Sequence, residues 1–236
     1  MASVNDVALV GYSADSGTGG KSFALLLLAD LAGETINITD NGWTAAGAFR
    51  TGEGMISIII PTGLGAGTVL QVTGLGGTVA VTANGAALPT TAYTVTGSIN
   101  PAVAGDQFLV YQGSVSAPTF LFALDFADDN TNYSGDATTA NTTAVPTGLA
   151  LGSTALAFAL DNGAYTGSIT GTRADILANI ANPSNWSVND SAPQSYPASF
   201  TVTSGPSTGT FAITPDATSV LEGNGGTATP TPVSYT

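Results

Sequence analysis

Seven consecutive apolar residues, Phe23 to Ala29, form the densest apolar run of the chain and constrain its fold more than any other feature. The run is too short to span a bilayer, which takes about 20 residues. An alternating segment, Thr35 to Thr39, follows it and ends at Asp40–Trp43. A short apolar run bounded by turns is typical of a strand buried on both faces, although periodicity alone also allows a helix segment. We expect the central strand of a β-sandwich, with Trp43 closing one end of the core.

The composition favours an all-β fold. Charged residues make up 8% of the chain, against an average of about 25%. Solvated helices normally carry a charged face, whereas strands can present hydroxyl and backbone groups instead. With 236 residues, the chain can form one large β domain or two small ones. We expect a β-sandwich over 1–203, in one unit or as two subdomains that meet near residue 115, and a Pro-, Gly- and Thr-rich tail over 204–236.

Strand and turn patterns recur along the chain, with one helix near residues 172–181. Thr172 and Asp175 have the spacing of a capping box, Pro183 ends the helix, and Trp186 is expected to anchor the core. We expect turns at Asn84-Gly85 and Asn162-Gly163. We expect the main strands at 4–12, 23–29, 35–39, 55–60, 68–73, 79–82, 93–96, 107–111, 119–126 and 155–160.

The charge balance excludes several classes of partner. The net charge is −13, and the basic residues are Lys21, Arg50 and Arg173. Nucleic-acid binding draws affinity from several Lys and Arg side chains on phosphates, and anionic membranes need basic clusters too. Direct membrane insertion is not expected either. Cations, neutral glycans and other protein subunits, including copies of this chain, remain as partners.

The compartment has to be inferred from composition, because the chain has no cysteine. An acidic, thiol-free, Thr- and Gly-rich composition is typical of exported bacterial proteins. The segment MASVNDVALV shows no signal peptide. We expect an extracellular, cell-surface or virion location, reached through a signal beyond these residues or by lysis.

Several motifs resemble a known fold family. I-N-I-T-D-N-G-W, G-E-G, P-x-G-L-x-A-G-T and G-D-Q-F-L-V-Y occur in that order. Their order resembles the lamin-tail-like immunoglobulin sandwich of exported bacterial and cyanobacterial surface proteins, and residues 161–186 resemble the region that often follows it. The resemblance implies an immunoglobulin-like sandwich and no catalytic signature. Near the end, I-T-P-D-A-T-S-V-L-E-G-N-G-G-T-A resembles the opening strand of a Calx-beta repeat.

The segment Asp15–Ser22 (DSGTGGKS) superficially matches a phosphate-binding loop. Asp15 stands where the first glycine should be, and its carboxylate would lie among phosphates. A strand rather than a helix is expected to follow, so no helix N-terminus would hold the phosphates. A Gly-rich turn is the better interpretation.

A cluster of carboxylates and amides indicates a candidate calcium site. Calcium takes six to eight oxygen ligands, which a loop of this kind can supply. The alternate spacing Asp128-x-Asn130-x-Asn132 fits, but the usual glycine and final glutamate are missing, and a solvated Asx-turn loop remains the alternative. Asp40 with Asn41, and Asp161 with Asn162, are weaker candidates. The residues of the cluster are Asp125, Asp128, Asp129, Asn130, Asn132 and Asp136.

The chain is not expected to be an enzyme. It has no His and no Cys, which excludes Ser-His-Asp and Cys-His catalysis and the usual zinc sites. Two carboxylates could hydrolyse a glycoside, and Glu34, Glu53 and Asp125 are conceivable members. Nothing in their spacing pairs them. We expect no catalytic residues and no cofactor other than, as a candidate, calcium.

Two functions follow from these observations. The first is a non-catalytic structural subunit that self-assembles on a cell surface, filament or virion. In it a tail strand, Thr210–Thr214, Ser219–Glu222 or Val233–Thr236, pairs with a sheet edge of a neighbouring copy. The alternative is a calcium- or glycan-binding accessory module of a larger exported phosphatase, nuclease or adhesin.

Overall fold

The computed structural model describes residues 1–16, 20–126 and 132–205, and Met1–Gly205 forms one compact unit. The unit is almost entirely β-structure, which confirms the predicted all-β class. Among the described residues the single α-helix is α1 (Arg173–Ile180). The strands are β1 (Val7–Ser13), β2 (Ser22–Leu27), β3 (Thr35–Thr39), β4 (Met55–Ile59), β5 (Val69–Thr73), β6 (Ala80–Ala83), β7 (Ala86–Ala87), β8 (Tyr93–Thr96), β9 (Asp106–Ser114), β10 (Ala117–Phe126), β11 (Ala155–Phe158), β12 (Asn162–Tyr165), β13 (Thr170–Thr172), β14 (Trp186–Asn189) and β15 (Thr201–Thr203).

Two large sheets form a β-sandwich. One has seven strands in the order β14-β12-β1-β2-β5-β6-β7, and the other has six in the order β11-β10-β9-β3-β4-β8. The apolar run supplies β2, the fourth strand of seven, and every residue of β2 is buried. It pairs antiparallel with β1 and β5. The prediction of a central strand buried on both faces is therefore confirmed.

Both sheets combine strands from either side of residue 115. In the first sheet β1 pairs with β12, and in the second β9 pairs with β10 and β10 with β11. A short parallel pair of β13 and β15 brings the chain to the end of the described unit. The predicted boundary near Thr203 stays a prediction, since the tail from residue 206 onward lies outside the described residues.

Aromatic side chains fill one end of the main core. Tyr12 stacks on Phe126 and Phe158, with ring centroids 5.1 and 5.5 Å apart. Trp186 packs on Phe158 at 4.6 Å, and its indole N–H donates to Ile180 O at 2.8 Å. Burying these large rings together contributes strongly to core stability. Trp186 is the core anchor that the sequence predicts.

Trp43 lies elsewhere, and the prediction that it closes the sandwich core is wrong. It is buried in a second, smaller cluster with Leu109, Tyr111 and Phe120. Val110, between Leu109 and Tyr111, belongs to the main core. Because successive strand residues point to opposite faces, Leu109 and Tyr111 face away from that core. Trp43 therefore covers the outer face of the six-stranded sheet. Its ring meets Phe120 edge-on at 4.8 Å.

The two predicted Asn-Gly turns have different outcomes. Asn84 and Gly85 have φ of 48° and 83° and join β6 to β7, as a two-residue hairpin turn requires. Asn162 and Gly163 instead form the start of β12, so the predicted turn is wrong. A Cβ at residue 163 would lie 2.4 Å from the ring of Tyr12. Glycine is present there because the ring packs against the strand backbone.

The helix begins and ends as predicted. Asp175 N–H donates to Thr172 Oγ1, and Thr172 N–H donates to Asp175 Oδ2, each at 3.2 Å. This capping box satisfies backbone groups of the first turn, while Ile176 and Ile180 are buried in the core. Within the described ranges, the structure has no helix of the length and apolarity that crossing a membrane requires.

Candidate metal centre

Three acidic residues meet at one end of the six-stranded sheet, where β3 lies between β4 and β9. Asp40 directly follows β3, Glu53 lies in the loop before β4, and Asp106 is the first residue of β9. One carboxylate oxygen from each lies within 4.8 Å of the others. We call these three residues the carboxylate cluster. Strand pairing creates it, because Thr39 lies opposite both Met55 and Leu109 in adjacent ladders.

Backbone amides hold two of the carboxylates in place. Asp40 accepts from the N–H groups of Gly54 at 2.9 Å and Asn100 at 2.7 Å. Asp106 accepts from the N–H groups of Ala102 and Gln107, each at 2.8 Å. These bonds tie the loops before β4 and β9 to the end of β3. They also fix the direction in which each carboxylate points.

Polar side chains hold the loops around Glu53. Its N–H donates to Asn41 Oδ1 at 3.2 Å, and Thr39 Oγ1 donates to Gly54 O at 2.5 Å. The carboxylate of Glu53 thus stays close to Asp40 although 13 positions separate them in the chain. Gly54 has no room for a side chain, because a Cβ there would lie 2.1 Å from the backbone N of Ile99.

Two buried oxygen atoms at this site accept no hydrogen bond from the described residues, Glu53 Oε2 and Gln107 Oε1. Gln107 is fully buried. Its amide nitrogen donates to Asp106 Oδ1 at 2.9 Å, to Ala140 O at 3.0 Å and to Asp40 O. Because this nitrogen points at Asp106, the amide of Gln107 holds the start of β9 in place. Buried polar atoms without a hydrogen bond are costly, so Glu53 Oε2, which accepts none from the described residues, indicates that the site accommodates a further group.

Burial raises the pKa of all three carboxyl groups. Asp40 and Asp106 are each 1% exposed, and desolvation is the largest cause of the raised pKa of both. The pKa of Glu53 rises to about 8, first through desolvation and then through the negative charge of Asp40. Two unit charges 4.8 Å apart repel by about 3.5 kcal/mol at an effective dielectric constant of 20. Three ionised carboxylates therefore need compensating positive charge.

Two of the three basic residues of the chain lie around this site. Arg50 Nη1 is 3.6 Å from Glu53 Oε2. Lys21 Nζ donates to Asn100 Oδ1 at 2.9 Å and to Pro101 O at 2.6 Å, so it holds the loop whose amide binds Asp40. Neither contact supplies a positive charge within hydrogen-bonding distance of Asp40 or Asp106. The chemistry of the cluster, with oxygen donors only and a shortage of positive charge, suits a hard divalent cation.

The calcium site predicted from the sequence lies partly outside the described residues. Asp125 is buried and accepts from the N–H of Tyr133, and burial raises the pKa of Asp125 to about 7. Asn132 Nδ2 donates to Phe158 O at 2.8 Å, and Asp136 Oδ1 accepts from the N–H of Ala45 at 2.9 Å. Asp128, Asp129 and Asn130 lie outside the described residues. The prediction of a calcium loop here stays a prediction.

The other candidates have separate environments. Glu34 precedes β3, at the end opposite the carboxylate cluster, and accepts from Gln112 Nε2 at 3.0 Å. Asn162 Nδ2 donates to Asp161 Oδ1 at 2.7 Å and to Asp15 Oδ2 at 2.9 Å. In the Gly-rich segment Asp15–Ser22, residues 17–19 lie outside the described residues. Ser22 after it begins a strand, as expected.

Sequence reasoning found part of this site. It gives Asp40 and Asn41 as weak cation candidates and Glu53 as a conceivable member of a hydrolytic carboxylate pair, and it misses Asp106 and Gln107. The available signal was positional: each acidic residue adjoins a predicted strand at a glycine-containing turn, in D-N-G, G-E-G and G-D-Q. Using that signal requires knowing that the three strands are neighbours, which local patterns do not reveal.

Comparisons of the chain with protein-family models, with curated proteins and with solved structures found no match.

Proposed function

We propose that this protein is a non-catalytic β-sandwich module whose carboxylate cluster binds a calcium ion. The observation that carries the proposal is the meeting of Asp40, Glu53 and Asp106 oxygens within 4.8 Å. In addition, Glu53 Oε2 accepts no hydrogen bond from the described residues and has the Arg50 guanidinium at 3.6 Å. A bound cation would displace the protons that burial favours on these three carboxyl groups and would balance the charge of the resulting carboxylates. It would also join the ends of β3, β4 and β9.

Calcium fits these donors better than other biological cations. Thiolate and imidazole ligands, which favour zinc and copper, are absent from a chain without Cys and His. Magnesium demands a near-ideal octahedron and retains several waters, whereas calcium accepts irregular sets of six to eight oxygens. Carboxylates at the end of β3, in the loop before β4 and at the start of β9 form such an irregular set. Water would complete the coordination on the side where Glu53 is partly exposed.

The wider setting of the module is proposed from its sequence resemblances. The lamin-tail-like immunoglobulin sandwich and the partial Calx-beta segment both point to an exported, multidomain surface protein. In that setting millimolar calcium is available outside the cell, and a module stabilised by it could serve as a structural or glycan-binding element. The all-oxygen donor set and the lack of His and Cys support a non-catalytic role.

A calcium titration tests the proposal. The unfolding temperature of metal-free protein should rise with added calcium, because a ligand at 100 times its Kd stabilises the native state by about 2.7 kcal/mol. For a chain of this size that corresponds to about 5–10 °C. Glu53→Gln should abolish most of the rise, and so should Asp106→Asn.

Matched controls separate this site from the others. Glu34→Gln makes the same chemical change at the opposite end of β3 and should leave the calcium response intact. Asp125→Asn tests the loop predicted from sequence. A response lost in Asp125→Asn and retained in Glu53→Gln would move the site to that loop and refute the carboxylate cluster. Extracellular calcium modules bind with a Kd of up to about 1 mM. No rise in unfolding temperature at about 10 mM calcium would therefore refute the calcium proposal.

The second candidate function is the structural subunit predicted from the sequence. The observation that favours it is the set of edge strands that the described residues give the sandwich, β14 and β7 in one sheet and β11 and β8 in the other. Unpaired edges are templates for pairing with another chain. The tail strands at 210–214, 219–222 and 233–236 lie outside the described residues. Deleting 204–236 should abolish assembly while the sandwich stays folded; unchanged assembly would exclude the tail.

A further inference from the structure

The strands on one side of the sandwich carry no charged residue in an otherwise acidic chain. No Asp, Glu, Lys, Arg or His occurs from Gly54 to Gly105, although the whole chain has a net charge of −13. This stretch contains β4 to β8. It therefore supplies the edge strand of both sheets on the same side, β7 in the seven-stranded sheet and β8 in the six-stranded sheet. We call this side the neutral edge.

The two edge strands of the neutral edge lie next to each other. Only residues 88–92 connect β7 to β8, and Tyr93 Oη on β8 donates to Val79 O, just before β6, at 3.3 Å. Strand β7 has just two residues, and a very short strand is one of the ways in which proteins protect an edge. Strand β8 has four residues and pairs with β4 without a bulge. It has no charged residue and no proline, so within the described residues β8 lacks these two protections.

Strand β8 also leaves apolar surface uncovered. Val95 lies opposite Ile56 in the β4–β8 ladder, and Ile56 is buried in the core. Because residues opposite each other in a ladder point to the same face, Val95 faces the core side of the sheet. It is nevertheless 41% exposed, and it lines a shallow pocket with Gly76 and Val79 from the segment between β5 and β6. Strand β8 therefore presents both backbone groups for pairing and a partly exposed valine.

We propose that the neutral edge is a homodimer interface in which β8 pairs antiparallel with β8 of a second copy about a two-fold axis. The charge distribution selects a second copy as the occupant. Two molecules of charge −13 repel over most of their surfaces, and the neutral edge is where they can approach without opposed carboxylates. A self-complementary edge closes on itself, so the product is a dimer rather than an open filament.

The opposite side of the sandwich provides the contrast. There Asp190 directly follows the edge strand β14, and Asp161 precedes the neighbouring β12. Val188 on β14 is 39% exposed, nearly the same as Val95, but it lies two residues from the exposed Asp190. Like charges placed opposite one another destabilise strand pairing. The inference narrows the structural-subunit proposal to one surface, and it does not depend on the cation site.

Single cysteines test the geometry, since the natural chain has none. Full-length Thr94→Cys, near the proposed axis, should form a disulfide-linked dimer on mild oxidation, with no larger species on a non-reducing gel. Val188→Cys should stay monomeric under the same conditions. Equal cross-linking of both variants, or of neither, would overturn the assignment of β8.

Sedimentation velocity tests the interface without cross-links. The wild-type protein should dimerise more strongly at 500 mM than at 50 mM NaCl, because salt screens the repulsion between acidic surfaces. Val95→Lys should weaken dimerisation at least tenfold, whereas Val188→Lys should not. Circular dichroism checks that both variants are folded. If Val95→Lys is unfolded, the cross-linking of Thr94→Cys and Val188→Cys decides whether β8 forms the interface.

The outcomes separate this inference from the subunit proposal. If Val95→Lys still assembles and deletion of 204–236 abolishes assembly, the chain is a subunit that pairs through its tail, and the β8 inference is wrong. If the wild-type protein is monomeric at about 1 mM in high salt, the subunit proposal and the β8 inference are both wrong. If dimerisation is lost in Val95→Lys and retained in Val188→Lys, the neutral edge is the dimer interface.

Discussion

Raising the pH should destabilise the metal-free protein, and Glu53→Gln should remove much of that effect. The pKa of Glu53 is about 8 in the folded protein, against 4.5 for an ordinary glutamate. A raised folded-state pKa means that the native state holds the proton more tightly than the unfolded chain does. The stabilising contribution is complete below about pH 4.5 and is lost as the pH rises to about 8.

The size of this loss of stability follows from the pKa shift of Glu53 and from the solvent exposure of its side chain. Each pKa unit corresponds to about 1.4 kcal/mol, so the full shift of Glu53 would give about 5 kcal/mol. Its side chain is 14% exposed and lies near Arg50, and solvent screening reduces such contributions. We expect about 2 kcal/mol between pH 5 and pH 8.5. The raised pKa values of Asp40, Asp106 and Asp125 change stability in the same direction.

The assay is urea unfolding followed by tryptophan fluorescence, in EDTA, at half-unit pH steps from 5 to 8.5. Glutamine resembles the protonated glutamate, so Glu53→Gln should match the wild-type protein at pH 5 and exceed its stability at pH 8.5. Glu34→Gln is the control, because hydrogen bonds lower the pKa of Glu34 and its loss cannot flatten the decline. Parallel curves for the wild-type protein and Glu53→Gln would refute the reasoning. Saturating calcium should flatten the wild-type curve, since the cation replaces the protons.

Three further predictions concern the fold. Leu25→Ala, in the fully buried β2, should cost about 2–5 kcal/mol in denaturant unfolding, whereas Ile59→Ala at a half-exposed site should cost less than 1; equal losses would contradict the assigned core. Gly163→Ala should lower the unfolding temperature and change the near-ultraviolet circular dichroism of Tyr12, whose ring a Cβ would meet at 2.4 Å; an unchanged spectrum would show that this contact is not tight. Thr172→Ala should cost about 1 kcal/mol by removing the helix cap, and Thr172→Ser should restore it in the same unfolding assay.

Local patterns predicted the elements well where one short segment decides the outcome. The run from Phe23 is a central strand because its apolar side chains can be satisfied only when both faces are covered. Thr35–Thr39 and Tyr93–Thr96 have the same bounds in the structure as in the prediction. The capping box at Thr172 needs only residues three apart, and it forms as expected. In each case the physical cause lies within the segment itself.

Predictions failed where a distant residue decides the outcome. Asn162-Gly163 has the composition of a turn, but the ring of Tyr12, 151 positions earlier, requires the glycine in a strand. Trp43 covers the outer face of a sheet because of the residues that β9 and β10 present there. The candidate site depends on the same kind of information.

The sequence alone determined the all-β class, the central strand, the helix and the shortage of positive charge, because composition and local periodicity govern these properties. The tertiary structure alone decided that Asp40, Glu53 and Asp106 meet, and that uncharged strands form both edges of one side. Strand order is responsible: it places β3 between β4 and β9 and β8 at an edge. That order is set by the packing of the whole sandwich, which no single segment encodes.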